Sequence, residues 1–170
     1  MKAGIKLNDK PTILSFIRRI IDDSDELKHH LVRFKVDEIL FRQGDTLTYL
    51  YLLLEGSVIL NHTRSDGSSL DLVHLDPGNF VGLVAFSTGN PSLTTCRVKE
   101  EVKALRIAQD EFEQYMNDHP RLRHPLQQLM MNNMTDRFMQ NVQLESKMNA
   151  LNLKLEEEGD GQFLTLFERE

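Results

Sequence analysis

The feature that most restricts the fold is the stretch from 32 to 108, where short apolar runs alternate with glycine-centred turns. Val32, Phe34 and Val36 alternate with Arg33 and Lys35, the two-residue period of a strand with one wet face. Ile39-Leu40-Phe41 follows, with Gln43-Gly44-Asp45 as a turn. Tyr49–Leu54 is apolar throughout and predicts a buried strand closed by Glu55-Gly56, with Ser57–Leu60 as the next strand. Ser65-Asp66-Gly67-Ser68 is a hairpin signal, because Asp-Gly readily supplies the positive φ angles of a tight turn. Leu70–Leu75 returns, and Asp76-Pro77-Gly78 turns again. Beyond 79–92, Thr94–Val98 and Val102–Ile107 predict two further strands. Gly44, Gly56, Gly67 and Gly78 are each expected where neighbouring strands reverse. Short strands with turns every 8–12 residues or so specify an all-β sandwich or barrel. Without strand–helix–strand alternation, a doubly wound nucleotide fold is not expected.

The flanks are helical. In the N-terminal segment 1–31, Pro11 suits a first helical turn, and Ile13, Phe16, Ile17 and Ile20 recur at helical spacing. Ser24, Leu27 and Leu31 predict a second short amphipathic piece with Lys28, His29 and His30 on its wet face. The β region, 32–118, closes with a helix over 109–118 that buries Phe112, Tyr115 and Met116. The segment 119–158 is expected to carry a long helix from Pro125 to about Glu158, a stretch without Gly or further Pro that follows the interruption at His119-Pro120. Heptads place Met130, Arg137, Leu144 and Leu151 on one seam position and Met134, Asn141, Met148 and Leu155 on the other. This pattern predicts a parallel homodimer helix, the alternative being a helix that only covers its own barrel. Leu126, Leu129, Phe138 and Val142 form a second stripe, expected to pack on the β region. Gly159 and Gly161 end the helix, and no role is assigned to the tail 159–170.

Charge and chemistry narrow the function. The net charge of −6 and the absence of a basic patch argue against DNA and anionic membranes as partners. One cysteine, Cys96, excludes an internal disulfide framework and fits a reducing, cytoplasmic setting. No secretory signal or membrane-length apolar run is present. A nucleophile–base pair, Walker loop, HExxH motif and paired-carboxylate site are all missing, so no catalytic residue is nominated and the chain is not expected to be an enzyme. His62, His74, His119 and His124 are scattered, and the His29-His30 pair points apart on a helix, so no metal site is expected.

Three segments carry a family resemblance. Ile39-Leu40-Phe41-Arg42-Gln43-Gly44-Asp45, Tyr51-Leu52-Leu53-Leu54-Glu55-Gly56-Ser57-Val58 and Leu75-Asp76-Pro77-Gly78-Asn79-Phe80-Val81-Gly82 occur in order. They resemble the signatures of the cyclic nucleotide-binding domain superfamily, and the long helix resembles that of Crp/Fnr-type regulators. The resemblance covers roughly residues 12–157. It implies a mainly β jelly roll with N-terminal helices and a long C-terminal helix, an α+β arrangement overall. It also implies a phosphate-binding cassette over 82–95, where backbone N–H groups, an arginine and a glutamate hold a cyclic nucleotide. Here the candidate ligand residues are Gly82, Leu83, Val84, Ala85, Ser92, Leu93, Thr94 and Thr95. The glutamate position falls on Leu83, and the arginine position, after Pro91, falls on Ser92. Arg97 is the nearest cation, with a direction that alternation leaves open.

Losing both charge-assisted contacts, each worth about 1.5–3 kcal/mol, removes a few powers of ten in affinity. The expectation is weak or absent binding of cAMP and cGMP and no cofactor, with an unidentified small ligand left open. Haem-sensing relatives would nominate His74 or Cys96, which are read first as structural. The functional expectation is a dimeric regulatory or sensory module acting on a downstream partner or a fused output domain. The alternatives are a Crp/Fnr-type transcription regulator lacking its helix-turn-helix and the input domain of a larger signalling protein such as a histidine kinase. With 12 residues after Glu158, no direct DNA binding by this chain is expected.

Overall fold

A computed structural model describes residues 10–137 and 139–140. Helix α1 spans Lys10–Asp22 and buries Ile13, Leu14, Ile17, Ile20 and Ile21, leaving Phe16 at its rim. Ser24 caps α2 (Asp25–Lys28), its hydroxyl accepting from the Leu27 N–H at 3.3 Å. Strands β1 (Leu31–Phe34), β2 (Ile39–Phe41), β3 (Tyr49–Thr63), β4 (Ser69–Leu75) and β5 (Phe80–Val81) follow. Next come α3 (Leu83–Thr88), β6 (Thr95–Ala108) and α4 (Phe112–Asp118). A further helix, α5, runs over 120–137.

All pairings are antiparallel, in the order β1-β6-β3-β4, with β2 also on β6 and β5 on β3. The long β3 and β6 form the spine, and alternation along them makes two cores. Leu50, Leu52, Leu54, Leu105 and Ile107 face α1, α2 and α5. Leu53, Val58, Leu60, Cys96, Val98 and Ala104 face the inside of the roll. Tyr49–Leu54 reads as continuous apolar sequence because both of its faces are covered.

Several boundaries differ from those expected. Tyr49–Leu54 and Ser57–Leu60 are one strand. The register against β6 shifts at Glu55 and Ser57, so Gly56 sits in a bulge and not at a reversal. Its φ is +77°, and a Cβ there would lie 2.0 Å from the Glu101 carbonyl oxygen. Thr94–Val98 and Val102–Ile107 are likewise one strand, in which Lys99-Glu100-Glu101 is simply exposed. β1 stops at Phe34, and Val36 is exposed beside Asp37, whose φ is 69°. Leu31 belongs to β1, and His30 is half-buried, its ring edge-on to Tyr115 at 5.1 Å. α5 begins at 120 and not at Pro125.

A first compact unit ends at Asn133, and a second starts at Met134. Within the first, Leu122, Leu126 and Leu129 are fully buried in the helix-side core, so the Leu126–Leu129 part of the expected stripe packs on the β region. Phe138 and Val142 lie outside the described side chains.

Candidate functional site

α3 has six residues between two left-handed glycines, Gly82 (φ 89°) and Gly89 (φ 69°). The chain enters from β5 and must turn sharply, and a Cβ at Gly82 would lie 2.9 Å from the Leu47 side chain. The helix lies over both cores. Leu83, 1% exposed, enters the helix-side core to which Leu50, Leu52 and Phe80 also belong, and Ala85 packs on the roll-side core. Val84 is 56% exposed. The hydroxyls of Ser87 and Thr88 donate back to the carbonyls of Leu83 (2.7 Å) and Val84 (2.9 Å).

The other half of the segment is tied to the Gln43-Gly44-Asp45 turn. Gly44 N–H donates to Ser92 O at 2.7 Å, and Ser92 N–H donates to Asp45 O at 2.8 Å. The buried Ser92 hydroxyl donates to Thr94 O at 2.8 Å and accepts from Thr94 N–H at 3.3 Å. Thr95 Oγ1 accepts from Gln43 N–H at 3.0 Å. The Gln43 carboxamide continues the lattice, donating to Thr63 O and accepting from Thr63 N–H. Leu93 is 75% exposed, while its carbonyl meets His62 Nδ1 at 2.9 Å. The polar groups at 92 and 95 are thus engaged by the fold itself.

Arg97, the cation nearest the expected cassette, faces away from the roll interior. It lies in β6 between Cys96 and Val98, both fully buried toward the roll interior, so alternation turns it to the opposite face. Burial pushes the Cys96 thiol up to about 12, which favours its protonated form. His74 is on β4, half-exposed, 3.5 Å from Asp76. Among the described residues, no group of three or more His, Cys, Asp or Glu side chains is arranged to hold a metal. A cleft of about 250 Å³ lined by Leu40, Phe41, Leu47, Tyr49 and Tyr51 includes no residue of 82–95.

Of the seam residues, Met130 is half-buried against the helix-side core, Met134 is 45% exposed and Arg137 is half-buried. Asn141, Leu144, Met148, Leu151 and Leu155 lie outside the described residues. One residue was missed by sequence reasoning. Asn133, 1% exposed, hydrogen-bonds Gly78 and Phe80 just ahead of α3. Its signal was available: it falls on the buried line Leu122, Leu126, Leu129, at helical spacing, as the polar member of an apolar stripe.

Comparison with known proteins agrees with this geometry. Residues 31–119 match the family profile described as "Cyclic nucleotide-binding domain". The patatin-like phospholipase domain-containing protein 6 of Homo sapiens and that of Pongo abelii are each 31% identical to this chain over 99 residues. That stretch is 58% of this chain and 7% of theirs, so the chain spans a small part of the relatives it matches. A cyclic nucleotide-binding domain from Methylobacillus flagellatus superposes with a TM-score of 0.59 at 18% identity, covering 82% of this chain and 88% of that one. The c-di-GMP responsive global regulator CLP of Xanthomonas campestris gives 0.56 at 21% identity, over 77% and 64% of the two chains. The Thermus thermophilus catabolite activator protein gives 0.55 at 21% identity, over 73% and 59%. These structural likenesses concern the fold. No described helix is long and apolar enough to cross a membrane.

Proposed function

This chain belongs to the cyclic nucleotide-binding domain family, and from that premise we propose that it is a non-catalytic regulatory module of signal transduction that binds cAMP and cGMP weakly or not at all. The observation that carries the reading is the burial of Leu83, which the resemblance puts at the glutamate position and which is 1% exposed within the core. A leucine there has no acceptor for a ribose hydroxyl, and a polar group buried against it loses its hydrogen bond. At the arginine position, the Ser92 hydroxyl is engaged with Thr94. Calorimetry of the full chain with cAMP and with cGMP is expected to show no saturable binding below about 1 mM, given the lost contacts. Micromolar affinity for either would refute the proposal.

Output is assigned to the helix after α4. The heptads Met130, Arg137, Leu144, Leu151 and Met134, Asn141, Met148, Leu155 support a homodimer. Light scattering at tens of micromolar is expected to give twice the chain mass, and a monomer would remove this part. Neither specific DNA binding nor membrane binding belongs to the reading, and its location is the cytoplasm. A sequence-specific mobility shift at physiological salt would contradict the first of these.

A second reading is favoured by the relatives' proportions. The matched stretch is 7% of much longer proteins, which supports a regulatory segment joined to a separate output domain. Detection of the native polypeptide at a mass well above 19.7 kDa would establish it. A native mass equal to that value would exclude it.

A further inference from the structure

The first compact unit ends at a fully employed carboxamide. Asn133 Oδ1 accepts from the Phe80 N–H at 2.7 Å. Its Nδ2 donates to Gly78 O at 3.1 Å and to Leu129 O at 2.8 Å. A carboxamide offers acceptor and donor on one short arm, a combination no apolar side chain reproduces. Two of these bonds go to the main chain of the turn that leads through β5 into α3. That turn is already held to β3, because Gly78 N–H donates to Leu53 O and Leu53 N–H donates to Asn79 O. Phe80 and Gly78 are themselves buried, so without Asn133 their N–H and C=O lose partners that water cannot replace.

We propose that Asn133 is an internal lock: it fastens the 120–133 helix to the lead-in of α3 and holds the two in a single arrangement with no ligand. The proposal rests on the reading above that the cassette takes no cyclic nucleotide, since the chain's own groups then hold the segment in place. The physical consequence is cooperativity. The amides of 80–88 and those of 122–133 open together, as one unit, although α3 and α5 are distant in sequence.

Hydrogen exchange followed by mass spectrometry on the full chain tests this. In the wild type, the two segments are expected to exchange with the same dependence on urea. In Asn133→Leu, which retains helix propensity and apolar burial, exchange over 80–88 is expected to rise about tenfold or more, while 122–133 stays within about threefold. The spine strands β3 and β6 are expected to stay unchanged. The lock is overturned if both segments speed up equally, if neither moves, or if they already open separately in the wild type. Should Asn133→Leu fail to fold, Asn133→Ser, with a single hydroxyl in place of the amide, is read by the same criteria. Calorimetry with cAMP and cGMP on the same preparation separates the two claims. Nucleotide binding would remove the functional reading, whereas a flat exchange response without nucleotide binding would remove the lock alone.

Discussion

Introducing the carboxylate that the resemblance implies at this position, Leu83→Glu, is the sharpest perturbation, because the same change is a gain of function if position 83 lines a ligand site and a lesion if it is core. The structure places Leu83 at 1% exposure in the core to which Leu50, Leu52 and Phe80 also belong. Losing a buried leucine side chain forfeits about 1.5–3 kcal/mol of burial. A carboxyl with no partner costs a further ~1–3 kcal/mol even when neutral. Each unit by which burial raises its pKa adds about 1.4 kcal/mol of penalty at neutral pH. With the pKa raised by about one unit, the expected loss is roughly 4–7 kcal/mol near pH 7, a large part of the 5–15 kcal/mol typical of a domain. The sign of the pH dependence follows from linkage. The introduced carboxyl has a folded-state pKa above its unfolded value of about 4.3, so the folded state holds the proton more tightly and stability falls as pH rises through that window. The deficit relative to wild type is therefore expected to shrink toward pH 4. Urea denaturation at pH 7 and pH 4.5 measures both, with Leu83→Met as a volume-conserving control expected to cost under about 1.5 kcal/mol. A loss below about 1 kcal/mol at pH 7, together with new affinity for cAMP, would refute the placement of Leu83 in the core.

Three further outcomes are expected. Gly56→Ala drives a Cβ to within 2.0 Å of the Glu101 carbonyl oxygen at φ +77°, so a loss of about 2 kcal/mol or more in urea melts is expected; a neutral result would mean that the bulge is malformed. Cys96, pushed up from 9.0 to about 12, holds on the order of a thousandfold less thiolate than an unperturbed thiol, so its reaction with a disulfide reagent at pH 8 is expected to track global unfolding. Rapid labelling under native conditions would contradict its burial. Among the described residues the buried Tyr115 hydroxyl finds no hydrogen-bond partner, and Tyr115→Phe is expected to leave stability unchanged or raise it by up to about 1 kcal/mol; a marked loss would contradict this.

The order of strands and helices was legible in the residues, because alternation, apolar runs and turn dipeptides act over a few neighbours. That positions 83 and 92 carry a leucine and a serine is plain from the sequence, whereas their standing at the family's glutamate and arginine positions is what the resemblance implies. What local pattern left open was whether a glycine reverses a chain or bulges it. Gly56 carries the same signal as Gly78, but the partner strand β6 runs past it without a break, which fixes the bulge through register. Arg97 had no direction until Cys96 and Val98 were seen buried beside it. The engagement of Ser92 by the Gln43-Gly44-Asp45 turn and of Gly78 and Phe80 by Asn133 joins segments about fifty residues apart. By itself the sequence determined the period of the elements, because that resides in adjacent residues. The tertiary structure alone decided which polar groups are already satisfied, because a hydrogen bond depends on which distant backbone folding brings within about 3 Å.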